Sequence, residues 1–380
     1  MKKIIFIFGM LVLLLGSCIE EFDAQLPEGE DNILVVDGSI IGDSLCTFYL
    51  SRSAAVGEGN AFKGEMSASV KVVGSDGTEW PGTLEGDGVY QVQVGTLTPG
   101  VSYQLQIQSK GLTYTSHPQT PMETPQLADS LLVRENEAKE EASMLLYLTM
   151  RGSSNDYYRI SYLQDWEIRA VWKADVEYNR NTGEIVPVTL PIYRGWKSDY
   201  ADNPYLLAAS KYGSGSNFPI ELYRISLRED NLSYRHCTSV LLRAISKEEY
   251  EYEKIRSQIS NEMGGLFTPQ PSELPTNITC SDPSVKVIGY VGVSKNVALS
   301  RYYINTTQVN CIYNINNNER CEAHPMSYYN ADSFNVMYNR GYRLVGSSKL
   351  WARGGCVDVR LNGATLEKPA WWQEEKNGMQ

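Results

Sequence analysis

The sequence predicts a mainly β protein. An immunoglobulin- or fibronectin-like sandwich is expected over residues 32–120, then a larger β-rich unit over 127–373 with one prominent helix at about 246–263. Three observations predict this. Runs of alternating apolar and polar residues recur at short intervals from residue 33 onward, and period two places one side of each run on a core. Turn pairs such as Asp87-Gly88 and Pro99-Gly100 separate the runs. A single stretch combines apolar residues at helical spacing with both a start and a stop signal.

The first 31 residues stand outside that pattern. Lys2 and Lys3 precede a run from Ile4 to Leu15 that is apolar apart from Gly9. This is the order of an export signal, and the run is short for a bilayer span. Gly16-Ser17 directly before Cys18, with Leu15 ahead, resembles a bacterial lipobox. That resemblance implies that residues 1–17 are a lipoprotein signal peptide and that Cys18 carries lipid. Residues 18–31 read as an acidic tether. Within it Glu20-Glu21 resembles the acidic surface-export signal of Bacteroidetes lipoproteins. The expected location is the outer membrane, lipid-anchored and facing the cell surface.

Composition narrows the partners. Lys and Arg number 34 against 45 Asp and Glu, a net charge of −11. An acidic chain lacks the concentrated cationic face that phosphate neutralisation needs, so nucleic acid is excluded. Attraction to anionic lipid is weak for the same reason, which leaves membrane attachment to the lipid on Cys18. Six further cysteines follow: Cys46, Cys237, Cys280, Cys311, Cys321 and Cys356. An even number in an exported chain favours disulfides. Cys311 and Cys321 lie ten positions apart in a polar, Asn-rich segment and are expected to be bonded. The other four allow three pairings, and spacing does not choose among them. A zinc site of Cys311, Cys321 and His324 has the wrong spacing, so no metal and no cofactor is expected.

Along the chain, Ile33–Val36, Leu45–Leu50, Ala68–Val73, Val89–Val94, Tyr103–Ile107 and Gly111–Tyr114 read as the strands of the first unit. Thr120-Pro-Met-Glu-Thr-Pro125 is a stiff linker, placed at 121–126. Ser143–Met150 and Tyr157–Ile168 read as long strands joined by the turn Gly152–Asp156. Residues 169–218 hold strand-like pieces and then an aromatic, glycine-rich stretch, and are expected to be long loops. Ser246-Lys-Glu-Glu249 is a capping box. Tyr252, Ile255, Ile259 and Met263 follow on one helical face, and Gly264-Gly265 is a left-handed stop. Strands are expected again at Val285–Val293, Arg301–Asn305 and Val357–Leu361, and residues 374–380 form a tail.

Several of these pieces together resemble a family of Bacteroidetes lipoproteins known as domain of unknown function 4249. They are the helix from Ser246 with its exit through Gly264-Gly-Leu-Phe267 to Asn277-Ile278, Val287-Ile-Gly-Tyr-Val291, and the closing Cys356-Val-Asp-Val-Arg360, Gly363 and Lys368-Pro-Ala-Trp371. Val359 stands where that family often has a second cysteine, and Ala364 where it often has a second glycine. The resemblance implies an accessory lipoprotein beside a TonB-dependent outer-membrane receptor. It supplies no catalytic residues.

Motif chemistry is sparse. The three histidines, His117, His236 and His324, are scattered, and no zinc-protease, nucleophile-elbow or phosphate-loop pattern occurs. Aromatics are more telling: 21 of 25 tyrosines lie after residue 125. Most suit strands. The group Tyr193, Trp196, Tyr200, Tyr205 and Tyr212 falls in the loop-like stretch from Pro191 to Phe218, where rings give contact area at low entropic cost. These residues are the candidate ligand or partner surface, with Tyr328 and Tyr329 as a second. The expected function is capture of a small-molecule, glycan or peptide ligand and its hand-over to a TonB-dependent receptor, without catalysis. An adhesin-like or structural surface protein that binds another protein is the alternative, and a secreted-type hydrolase the third reading.

Overall fold

Alternation is realised as strands throughout. The structure, a computed structural model, describes residues 32–53, 63–128, 130–149, 157–201, 204–209, 217–262, 274–313, 321–325, 331–347 and 350–374. The signal segment, Cys18, the tether, Met263 and Gly264-Gly265 lie outside the described residues.

The first unit contains β1 (Leu34–Ile41), β2 (Leu45–Arg52), β3 (Lys63–Gly64), β4 (Ser69–Gly74), β5 (Glu79–Gly86), β6 (Val89–Gln93), β7 (Tyr103–Ser109) and β8 (Leu112–Ser116). On β2, Cys46, Phe48 and Leu50 are buried while Leu45 and Tyr49 face out, as period two requires. Asp87 and Gly88 both take positive φ, 46° and 76°, which is why an Asp-Gly pair joins β5 to β6.

The rest of the chain forms β9 (Leu131–Asn136), β10 (Glu141–Thr149), β11 (Tyr157–Arg169), β12 (Val176–Asn179), β13 (Glu184–Pro187), β14 (Arg194–Tyr200), β15 (Tyr205–Ala208), β16 (Asn217–Ser226) and β17 (Arg235–Ile245). Then come α1 (Lys247–Glu262), β18 (Ile278–Cys280), β19 (Val287–Ser294), β20 (Ala298–Asn305), β21 (His324–Pro325), α2 (Ala331–Asn339), β22 (Tyr342–Val345) and β23 (Leu350–Arg353). Residues 169–218, expected as loops, therefore hold four complete strands and the start of a fifth. The strand expected at 357–361 is replaced by short 3-10 turns, Gly354–Cys356 and Val359–Asn362, and Gly363 closes the second with φ 82°.

The first unit does not build the expected pair of facing immunoglobulin-type sheets. Its strands form one ten-stranded sheet in the order β18-β8-β7-β4-β5-β6-β2-β1-β19, with β3 beside β2. β1 pairs in parallel with β19, from Leu34–Val287 to Ile41–Ser294, and β18 pairs with β8. The two edge strands are thus contributed from far along the chain, and the sheet curls until it nearly closes. Phe48, Val72, Tyr90, Leu105 and Tyr114 fill the interior together with Ile278, Val291 and Val293 from those edges. Gly289 allows the parallel pair to close up: a Cβ there would lie 1.9 Å from the Val36 carbonyl oxygen.

Beyond it, a three-stranded sheet, β16-β10-β9, packs on a five-stranded sheet, β14-β11-β17-β20 with β15 also on β11. Leu146 and Leu148 meet Ile160, Val240, Leu242 and Tyr302 between them. Even-numbered residues of β17 and β20 therefore point inward, and odd-numbered ones make an outer face. A smaller body of β12-β13 and β21-β23-β22 with α2 surrounds Tyr178, Leu344 and Trp351.

The expected Cys311–Cys321 disulfide is not formed. Cys321 is bonded to Cys356, and Cys46, Cys237, Cys280 and Cys311 are free thiols. The physical reason is that the chain leaves one core and enters another between the two positions. Cys311 packs beside Ile225 and Leu227, whereas Cys321 packs with Val345, Ala352 and Val357.

At α1, the Ser246 hydroxyl accepts from the Glu249 N–H at 3.1 Å, the first half of the capping box. The reciprocal bond is not made. Glu249 turns inward and accepts from Arg243 instead.

Candidate functional site

Among the described residues, the outer face of the five-stranded sheet is covered at both ends and open in the middle. At one end α1 lies over it, and Arg159 of β11 faces Glu253 at 3.6 Å. At the other end the last described segment lies over β14 and β20. Trp196 and Thr365 exchange backbone bonds at 2.9 Å, the Tyr303 hydroxyl donates to the Trp371 carbonyl at 3.3 Å, and Gln373 N–H donates to that hydroxyl at 2.9 Å. Arg194 adds an ion pair to Glu374 at 2.6 Å.

Between these covers lies a groove of 410 Å³. Leu163, Leu241 and Leu299 form an apolar floor, with Ser239 among them. Leu241 and Leu299 are 39% and 48% exposed, large values for leucines on a central and an adjoining strand. Tyr200, 74% exposed, stands on one side and Trp371 on another. The guanidinium of Arg301 lies over the Trp371 ring, 4.6 Å from its centre.

The electrostatics of this face are unusual for an acidic protein. Among the described residues Arg301 makes no ion pair. Arg159 donates from Nη1 to the Ser161 hydroxyl at 2.9 Å, while its Nε makes no hydrogen bond and has only the Glu253 carboxylate at 3.6 Å. Buried polar atoms without a hydrogen-bond partner occur on this face: Arg159 Nε and Ser239 Oγ in the groove, and Asp165 Oδ2, Arg235 Nε and Nη1 and Asn305 Oδ1 outside it. Such groups are costly in a core and are expected where something else supplies the bond. Asp165 accepts from the Ser198 hydroxyl at 2.5 Å, and burial holds its carboxyl above the usual range against the opposing pull of Ser198 and Arg301. Burial, with Asp165 opposite, pushes the Cys237 thiol up to about 12, so it is no thiolate nucleophile. Guanidinium, hydroxyl and ring groups are the chemistry by which a site can bind and orient a ligand.

The candidate residues are dispersed by the fold. Tyr200 is a wall of the groove. Trp196, on the same face, is only 6% exposed, with Trp372 edge-on at 6.5 Å and the Arg194 guanidinium 5.0 Å from its ring. Tyr193 is half-buried beside Trp166, Ile168 and Val359 and carries the Lys173 ammonium at 4.7 Å. Tyr205 pairs with Ile160 and so lies on the inward side, opposite Tyr200. Tyr212, Tyr328 and Tyr329 lie outside the described residues. Sequence reasoning missed Arg159, Asp165, Arg301 and Trp371 as site residues. The available signal was charge within a strand, at Arg159, Asp165 and Arg301; nothing local marks Trp371.

A larger cavity of 770 Å³ lies between residues 117–122, β19 and the start of α1. Its buried polar groups are already matched. The Asn277 amide donates to the Val291 carbonyl and accepts from the Val291 N–H, both at 2.9 Å, and Gln119 donates to the same carbonyl at 2.6 Å. Those bonds hold a seam together and leave less for a ligand than the groove does.

The family model described as Domain of unknown function (DUF4249) matches residues 19–300, a span that includes Arg159, Asp165, Tyr200 and Ser239 and ends just before Arg301. No curated protein matches the chain. Among solved structures, the collagen adhesin (CNA) from S. aureus aligns at 8% identity over 73% of this chain and 96% of its own. Its TM-score of 0.09 is far below that of chains with a common fold.

Proposed function

The chain belongs to the DUF4249 family, a domain of unknown function, and we propose that it is a surface-exposed, lipid-anchored outer-membrane lipoprotein that captures a ligand for a TonB-dependent receptor. It hands the ligand on without breaking a bond. The observation that carries this reading is the groove: an apolar floor between two rings, with the Arg301 guanidinium and the Ser239 hydroxyl, on a face that the other described residues leave open. Its volume falls within the ~300–1,000 Å³ of small-molecule sites. The anchor rests on the sequence around Cys18. Among the described residues no helix is long and apolar enough to cross a membrane.

The test joins anchor and partner. Tagged full-length protein is expected in the outer-membrane fraction after a high-salt wash, with a large receptor recovered from solubilised membrane. Cys18→Ala is expected to remain an unprocessed precursor or a soluble exported protein. Retention of Cys18→Ala in washed membranes, or a wild-type pull-down without any receptor, would count against the proposal.

A further inference from the structure

We infer that the groove takes a ligand with a carboxylate beside a flat or apolar group, the anion on Arg301 and the apolar part between Tyr200 and Trp371. This deepens the capture reading and rests on it. Several arginines of this chain are matched with acids: the buried Arg52 and Arg243 with Glu65 and Glu249, the half-buried Arg194 with Glu167, and the exposed Arg360 with Asp358. In a chain of net charge −11, acids are plentiful. Arg301, an exposed residue at the edge of a concave site, makes no ion pair among the described residues.

What holds Arg301 is the Trp371 ring. A guanidinium held over a ring by cation–π attraction makes no hydrogen bond to it, so its N–H groups stay available to a planar acceptor, and a carboxylate matches that fork. Trp371 is itself fixed by the Tyr303 hydroxyl at its carbonyl. The pair is therefore positioned before any ligand arrives, which lowers the ordering cost of binding.

The remaining groups set the charge and shape of the ligand. Ser239, 4% exposed, lies beside Arg301 in register and brings an unpartnered hydroxyl to the floor. Arg159 has Glu253 opposite, so its charge is largely answered within the protein. One groove cation without an ion pair among the described residues matches a single negative charge, and Asp165 on the same face disfavours a dianionic phosphate more than a monoanion. Leu163, Leu241 and Leu299 exclude a wholly polar ligand, because covering them is where apolar burial would stabilise the complex.

The experiment is calorimetric titration of the full-length, detergent-solubilised protein with N-acetyltryptophan and with N-acetyltryptophanamide, which has the same body without the charge. The acid is expected to bind at least about tenfold more tightly than the amide. Arg301→Gln is expected to reduce that preference to within about twofold, and Arg301→Lys to keep part of it, with the melting temperature unchanged in both. Equal binding of acid and amide, both weakened by Tyr200→Ala, would overturn the carboxylate inference and leave capture at the groove standing. Binding of neither probe would overturn both. A full preference for the acid in Arg301→Gln would show that another group holds the anion.

Discussion

Cys321 and Cys356 are bonded across 35 residues, and Trp172 secures both halves of the bridge. Its indole N–H donates to the Cys321 carbonyl at 2.8 Å, and its backbone N–H donates to the Cys356 carbonyl at 2.9 Å. The bridge thus pins the small body around Trp351 to the chain that leaves β11. A loop of this length gives about 4 kcal/mol in the chain-entropy account. Non-reducing peptide mapping is expected to recover the Cys321 and Cys356 peptides joined, and Cys46, Cys237, Cys280 and Cys311 alkylated after denaturation. A joined Cys311–Cys321 peptide would refute the assignment.

Trp196 and Tyr200 occupy the same face of β14, yet substitution should separate them. Trp196 is buried under Trp372, so Trp196→Ala opens a cavity and is expected to cost about 3–5 kcal/mol. Tyr200 is exposed, and Tyr200→Ala is expected to change stability by less than about 0.5 kcal/mol while weakening ligand binding. Urea melts of both variants decide it. A stable Trp196→Ala variant would place that ring outside the core.

The strands were legible because alternation and turn chemistry are local. Asp87-Gly88 announces its hairpin by residue type alone, and Ser246 announces the start of α1. Closure of the first sheet was not legible. Nothing in Val287–Ser294 says that its partner is Leu34–Ile41, since a parallel pairing has no connecting turn to mark it. The groove was half legible for a related reason. Tyr200 stood out as an aromatic residue, but the rings around it were grouped by sequence proximity. Pairing sends Tyr205 to the opposite face and Trp196 beneath the terminal segment, while Arg301 and Trp371 arrive from more than 100 positions away. The disulfide failed on the same assumption, that neighbours in sequence share a core.

His236 makes stability depend on pH. Its ring is fully buried. Nδ1 lies 3.3 Å from the Asn231 carbonyl, and Nε2 lies 3.0 Å from the Tyr223 hydroxyl. A neutral ring that donates from Nδ1 and accepts at Nε2 satisfies both contacts. Burial lowers its pKa from 6.5 to about 4, with the Asn231 contact opposing. Because the folded state holds the proton less tightly than the unfolded chain, the stabilisation is complete above 6.5. It declines as pH falls towards 4, by roughly 3 kcal/mol in all. Chemical denaturation at pH 7.5 and 4.5 is expected to show this loss, and His236→Gln to remove most of the difference between the two. An unchanged pH dependence in His236→Gln would mean that other groups carry it.

The last prediction concerns the junction between the two sheet systems. Arg243 on β17 and Glu249 on α1 form a buried ion pair, with side chains 10% and 3% exposed. The Arg243 guanidinium also donates to the Ser294 hydroxyl at 3.2 Å, and that hydroxyl donates to the Ala244 carbonyl at 2.8 Å. Ser294 ends β19, so one arginine links the five-stranded sheet, the helix and an edge of the nearly closed sheet. The carboxylate rests against Gly292, where a Cβ would come within 2.0 Å of its oxygen. Removing one member of such a pair leaves a buried charge unanswered, so Glu249→Ala is expected to cost about 3–5 kcal/mol. Removing both members removes that penalty. Arg243→Met combined with Glu249→Ala should therefore cost clearly less than the sum of the single changes, because neighbours in one network do not add. Gly292→Ala should destabilise by displacing the carboxylate while every charge stays in place. Urea denaturation of the four variants completes the cycle. Strict additivity, or a loss below about 1 kcal/mol for Glu249→Ala, would show that this pair does not hold the junction.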